Sequence, residues 1–296
     1  MKRSISGTLL LFLFSIVIGT KVQAASLSLL WATETSELKT PESVIYDLKR
    51  NVLYVSNING SPMEKDGNGF ITKLSTDGNL IDLKWASGDL SAPKGMAIAN
   101  DHLFVTDISR VVEIDLEDGK LIKTYPVAEA VFLNDAVADN EGNVYISDMM
   151  TDSIYRIKNG MIELWLKSEK LASPNGLAID QDKLIVGSWG VMDGEGFATT
   201  IPGHLLIVSL YTKEISDLGN ANPVGNLDGV EITANGDFLV TDWMAGTLFR
   251  IDRQGHAETL ANLNQGSADL EYIQEKNLLL IPMMKDHKIV AYRFAE

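Results

Sequence analysis

Residues 134–166 read NDAVADNEGNVYISDMMTDSIYRIKNGMIELWL. Four short runs rich in β-branched, aromatic and small apolar residues are separated by turn residues. Residues 135–138 form a first strand, and Asn140-Glu141-Gly142-Asn143 makes the turn. Residues 144–147, 154–157 and 161–166 are the second, third and fourth strands, with Asn159-Gly160 between the last two. Asn-Gly suits a two-residue hairpin because both positions must take positive φ. The unit is a four-stranded antiparallel meander.

The same pattern recurs along the chain. Its starts are Glu42-Ser43-Val44, Lys94-Gly95-Met96, Asn134-Asp135-Ala136, Asn175-Gly176-Leu177, Asp228-Gly229-Val230 and Asp269-Leu270-Glu271. About eight residues into each comes an apolar run, at 52–55, 103–105, 144–146, 184–186, 238–240 and 278–281. Asp77-Gly78 and Asp118-Gly119 repeat the hairpin turn of Asn159-Gly160. A period of roughly 40 residues points to a stacked or radial array. Six such units predict an all-β, six-bladed β-propeller. The last unit ends at its third strand, 288–294, while Leu27-Ser28-Leu29-Leu30-Trp31 is a strand without a unit. That N-terminal strand is expected to close the last blade and cover an open sheet edge. A single propeller domain over 25–296 follows.

The first polar residues of the six units become a ring: Glu42, Lys94, Asn134, Asn175, Asp228 and Asp269. Strand one of a propeller blade lines the central channel, so these residues are expected at its mouth. Their spacings are 52, 40, 41, 53 and 41 residues, and the long values locate insertions at 61–69 and 191–203. Both follow strand two, so both rise on the ring's face, from opposite blades. They are expected to rim or cover a ligand site. Trp189 and Trp243 also follow strand two on that side, where a tryptophan can pack or touch a ligand. Trp31, Trp85 and Trp165 lie in outer strands and are assigned to the core. Asn57, Asp107, Asp148, Ser188 and Asp242, at the ends of strand two, are expected to bond nearby backbone.

Lys2 and Arg3, the apolar run 9–18 and Val22-Gln23-Ala24 predict a cleaved signal peptide over 1–24. The apolar run is too short for a comfortable membrane span, so no stable membrane insertion is expected. The chain has no cysteine, which excludes disulfides and a lipid-anchoring cysteine. The expected location is periplasmic or secreted. The net charge is −15, and loss of Lys2, Arg3 and Lys21 leaves 22 basic against 40 acidic residues, or −18. Such a chain repels nucleic acid, which is not an expected partner.

Three carboxylates and two amides converge in the ring without thiolate or imidazole. An oxygen-only set suits a hard cation, Ca²⁺ or Mg²⁺. Without a cation the carboxylates must hold protons. Lys94 allows two alternatives: an ion pair with a carboxylate that plugs the ring, or a contact for a substrate anion.

Pro41-Glu42-Ser43, Leu133-Asn134-Asp135, Pro174-Asn175-Gly176-Leu177-Ala178 and Leu227-Asp228-Gly229-Val230 resemble segments of the gluconolactonase, regucalcin (senescence marker protein) and luciferin-regenerating enzyme family. The resemblance implies a six-bladed propeller with one divalent cation at the channel mouth, Ca²⁺ before Mg²⁺. It makes Glu42, Asn175 and Asp228 metal ligands, and Asp228 also the catalytic base. It makes Asn134 a further ligand or a substrate contact. Lys94, a substrate-binding candidate from its place in the ring, departs from the family pattern and could compete with the metal. The implied activity is hydrolysis of a small lactone or ester by water. Sugar lactonases of the family usually carry Arg where this chain has Phe132, which points to a less polar substrate. None of the four histidines falls in the ring, so a histidine dyad is not expected. The alternative is a non-catalytic exported propeller that binds a small molecule or a protein.

Overall fold

The computed structural model describes residues 26–33, 36–194 and 196–295. The expected signal peptide, 1–24, lies outside the described residues. Six four-stranded antiparallel sheets make the blades. Blade one is Pro41–Asp47, Val52–Asn57, Phe70–Ser75 and Leu80–Ser87. Blade two is Pro93–Ala99, His102–Asp107, Arg110–Asp115 and Leu121–Pro126. Blade three is Leu133–Ala138, Val144–Asp148, Ser153–Lys158 and Met161–Lys167. Blade four is Pro174–Asp180, Lys183–Ser188, Leu205–Ser209 and Ile215–Asp217. Blade five is Leu227–Ile232, Phe238–Asp242, Thr247–Ile251 and Ala257–Asn262. Blade six is Glu271–Ile273, Leu278–Met283 and Lys288–Ala295, joined by Ser26–Ala32 from the other end of the chain. Helix among the described residues is confined to three short 3₁₀ segments.

The first strand of each blade packs on the first strand of the next, all the way round from blade six to blade one. The core is therefore divided among the interfaces between blades. Ala97, Phe104 and Val111 of blade two meet Ala136, Ile146 and Tyr155 of blade three. Val44 and Val55 of blade one meet Ile273 and Leu280 of blade six. Alternate residues of each strand face opposite blades, which is why apolar runs are continuous in strand two, buried on both faces. The Asn159-Gly160 hairpin takes φ of 50° and 70°, as its sequence requires.

The ring closes through the N-terminal strand as expected. Ser26–Ala32 pairs antiparallel with Lys288–Ala295, from Ser26 opposite Ala295 to Ala32 opposite Val290. Trp31 packs on the cluster of Leu38, Leu53 and Leu74. Its ring lies where a Cβ at Gly78 would fall, 2.6 Å from that point. Trp31→Ala should therefore cost about 2 kcal/mol, less than a fully buried aromatic because Trp31 is only partly buried. Urea unfolding measures this, and an unchanged midpoint would deny the strand any packing role.

Candidate active site

In five blades strand one loses register with strand two at the same place. Pro41 faces Asn57 but Val44 faces Val55; Pro93 faces Asp107 but Met96 faces Val105. Leu133 and Ala136, Pro174 and Leu177, and Leu227 and Val230 repeat the shift. Each is a one-residue bulge, which bends the strand and re-aims the side chains inside it. The first residue of each bulge is polar: Glu42, Lys94, Asn134, Asn175 and Asp228. All five are buried and line the floor of one cavity.

Blade six corrects the expected ring. Ser267 faces Met283 and Glu271 faces Leu280, so the corresponding position is Ala268 and not Asp269. Matching Asp269 to Asp228 by residue type slips the alignment by one, and a one-residue slip turns a side chain to another face. The apolar pattern gives the true register, with Leu270 in the core like Val230. In blade order Ala268 comes between Asp228 and Glu42. Its buried methyl group puts no polar atom between those carboxylates.

Asp269 instead belongs to a second tier below the floor, with Ser43, Gly95, Asp135, Gly176 and Gly229. Ser43 Oγ donates to Asp269 Oδ2 at 2.6 Å, and the Leu177 N–H donates to Asp135 Oδ2 at 2.6 Å. Glycine is required opposite the tier's carboxylates: a Cβ at Gly95 would stand 2.4 Å from Asp135 Cα. Strand-two hydroxyls hold the bulges. Ser56, Ser147 and Thr241 accept from the N–H groups of Ser43, Asp135 and Gly229, each at 2.9 Å. A hydroxyl just before the end of strand two, as at Ser56, Thr106, Ser147 and Thr241, was a readable signal for these supports.

Burial raises the Glu42 carboxyl well above its ordinary range, with Asp228 and Asp269 adding to the rise and Lys94 opposing it. Burial likewise raises Asp228, aided by Asp269 and opposed by its hydrogen bond with Asn175. Glu42 Oε2 is buried with no hydrogen-bond partner. Asn175 Nδ2 donates to the Leu227 carbonyl at 3.2 Å, so its Oδ1 faces the ring, where Asn134 Nδ2 meets it. Among the described residues no three carboxylate or imidazole groups are placed to hold a cation alone. A cation here needs an amide oxygen as well, and Asn175 presents one beside Asp228 and across the ring from Glu42. The donor set of Glu42, Asn175 and Asp228 fits a hard divalent cation, because its unpartnered oxygen and its mutual repulsion both call for positive charge.

Lys94 lines the cavity floor without the ion pair that one alternative expected. No described carboxylate lies within ion-pair distance of it, and it does not reach out into the mouth. It is buried, its Nζ donates to the Ala92 carbonyl at 3.2 Å and stands 4.5 Å from the Phe132 ring centroid. Burial lowers it to about 8, against the pull of Glu42 and Asp107.

The cavity above the floor has a volume of about 290 Å³. Pro62 from the first insertion and Phe197 from the second both line it, as expected for loops rimming one mouth. The second insertion carries a hairpin, Gly190–Met192 with Thr199–Pro202. Much of the wall comes from a column not read from the sequence. The residue after each strand-two end is Ile58, Ile108, Met149, Trp189, Trp243 or Met284, large and apolar in every blade. All but Ile108 line the cavity, including both tryptophans singled out above. The strand-two ends themselves bond backbone as expected. Asp107 accepts from the Ala92 N–H at 2.7 Å and Asp148 from the Phe132 N–H at 3.0 Å, so each orients the segment entering its blade. The histidines stay outside the cavity; His204 and His256 pair with Asp217 and Asp252, each at 2.9 Å, and His102 with Glu113 at 2.6 Å.

A second cavity, about 310 Å³, opens along the channel below and holds Asp135, Glu231, Asp269 and Glu271. Burial raises Asp269 to about 7 and Glu271 to about 8. Folded values above unfolded ones mean stabilisation that is full below about 4 and is lost as pH rises through 7 to 8. The melting temperature should fall between pH 5 and 8, and Glu271→Gln should flatten the slope. A Tm that climbs over this range would contradict the burial of these groups.

The sequence pattern of the SMP-30/Gluconolactonase/LRE-like region matches residues 40–263. No curated protein sequence matches the chain. Among solved structures, virginiamycin B lyase from Staphylococcus aureus is similar at 16% identity and a TM-score of 0.61, over 91% of this chain and 99% of that one. A gluconolactonase from Xanthomonas campestris is similar at 14% identity and a TM-score of 0.66, over 87% of each chain. Identities this low speak to the shared fold alone. The family match covers all of blades one to five, and with the six-bladed ring it shows that the chain belongs to the SMP-30/gluconolactonase/LRE-like family.

Proposed function

We propose that this protein is an exported, divalent-metal-dependent hydrolase of small lactones or esters. One observation carries the reading: Glu42, Asn175 and Asp228 gather oxygen donors at the floor of a walled cavity, and Glu42 Oε2 is buried there without a partner. Family membership supports the same chemistry. A bound cation, Ca²⁺ before Mg²⁺, would polarise the substrate carbonyl and acidify water. Asp228 accepts the proton of the attacking water as the new C–O bond forms. The ring C–O bond of the lactone then breaks, and its oxygen takes up that proton. Asn134 donates to the substrate oxygen from blade three. Lys94 adds positive charge on the side where the carbonyl oxygen gains negative charge. The periplasmic or secreted location rests on the leader sequence.

Equilibrium dialysis with calcium tests the cation site. One ion per chain is expected, with affinity at least about tenfold weaker in Glu42→Gln, which removes one ligand charge. No binding at millimolar calcium would move the assignment to the second reading, an exported non-catalytic propeller for a small molecule or protein. The observation favouring that reading is Lys94, a cation already buried in the ring beside Glu42.

A further inference from the structure

We infer that the cavity selects a lactone or ester carrying an apolar, ring-sized substituent, and rejects a polyhydroxylated ring. The inference rests on the hydrolase reading for the reacting group, and on the wall alone for the substituent. The polar groups of the cavity are segregated. Five are on the floor, and Thr40 and Lys285 are at the rim. Between them the wall is carbon and sulfur, from Ile58, Phe132, Met149, Trp189, Phe197 and Trp243.

The wall's own donors are already spent. Trp189 Nε1 donates to the Phe197 carbonyl at 2.9 Å, and Trp243 Nε1 meets Met284 Sδ at 3.0 Å. Both indoles therefore offer ring surface to a ligand and no hydrogen bond. Lys285 at the rim is engaged as well, bonded to Gln265 Oε1 and set 5.0 Å over the Trp243 ring. Phe132 and Phe197 meet edge to face at 5.6 Å, and Trp189 and Trp243 stand 6.3 Å apart. These contacts brace the wall as a preformed aromatic surface. Sugar hydroxyls placed here would lose water and gain nothing in return. An apolar substituent would bury its surface at no such cost.

Size agrees. A void of ~150 Å³ holds one benzene. About 290 Å³ then suits a lactone ring on the floor and one further ring, or a short alkyl chain, against the wall. Phe197 comes from the second insertion, so that loop contributes directly to selection.

The experiment compares γ-phenyl-γ-butyrolactone, γ-butyrolactone and glucono-δ-lactone as substrates in millimolar calcium. Alongside it, the unreactive 5-phenyl-2-pyrrolidinone is titrated against tryptophan fluorescence. The expected result is a kcat/KM for the phenyl lactone about a hundredfold or more above the other two. Saturable quenching by the phenyl lactam is expected too. In Phe197→Ala, a surface-loop change tolerated by the blades, the preference for phenyl over unsubstituted lactone should shrink about tenfold. Glucono-δ-lactone turned over as well as the phenyl lactone would overturn the inference and leave the hydrolase standing. Saturable lactam binding with no lactone hydrolysed would support the apolar preference and sink the hydrolase. Neither hydrolysis nor binding of the phenyl compounds would overturn the inference.

Discussion

Asp228→Ala should lower lactone turnover by about a thousandfold or more, the scale at which a positioned base and a cation act together. Asp228 is buried at the floor, and its bulge aims it beside Asn175, whose amide is pinned by the carbonyl just before it, that of Leu227. Ala268 fills the adjoining position with a methyl group, so no other carboxylate stands by to replace it. Glu42 is two blade positions away and Asp269 is a tier lower. Asp228→Asn separates the two roles assigned to this residue. It keeps an oxygen that can hold a cation and loses the group that accepts a proton. Calcium should still bind, more weakly, while turnover falls nearly as far as in the alanine variant. Initial rates at saturating calcium check this, with urea midpoints to show that both variants fold. Turnover above about a tenth of the parent in Asp228→Asn would remove Asp228 as the base.

Among the glycines of the second tier, Gly176→Ala should be the most destabilising. Its Cβ would fall 1.8 Å from the Asp228 carbonyl oxygen and 2.9 Å from the carbon of that carbonyl. Both are backbone atoms of the neighbouring blade, so no side chain can rotate out of the way. Blades four and five must separate, opening the interface of Ala178, Ile185 and Val230. Overpacking of this kind costs about 3 kcal/mol or more when rigid backbone is the obstacle. The same displacement moves Asp228, so calcium affinity should fall together with the urea midpoint. Gly88→Ala is a useful contrast, since its Cβ would meet nothing within 4 Å. Its φ of 99° adds backbone strain, yet its cost should stay local and leave calcium binding intact. Equal losses of calcium affinity in the two variants would mean that close approach of the inner strands does not set the site.

The blade count, the closing strand and the face carrying the insertions were all legible, because each depends on a local pattern repeated along the chain. Asn-Gly turns, alternating apolar runs and a surplus strand at the N-terminus read the same way in any context. Glu42, Asn134, Asn175 and Asp228 were legible for a similar reason: a polar residue in the same column of each unit points the same way. The sixth column misled, because Asp269 resembles Asp228 in type while Leu270 carries the register. The wall column was open to the same reading, yet apolar residues beside a strand usually signify packing. Only their position around the mouth marks Met149, Trp189 and Trp243 as a lining.

By itself, then, the sequence determined which residues repeat, and hence the propeller and the polar floor. The tertiary structure decided what the repeats do to one another. Bulges turn five polar side chains into one cavity, and blade six contributes only the methyl group of Ala268 between two carboxylates. Burial holds those carboxylates toward their protonated forms and leaves Glu42 Oε2 without a hydrogen-bond partner. Lys94 rests on Phe132 rather than on an acid. These depend on closure of the ring, which brings together residues far apart in the chain, as in the bond from Ser43 to Asp269, 226 positions away. Local pattern specifies each blade, whereas desolvation and charge coupling arise only where six blades meet.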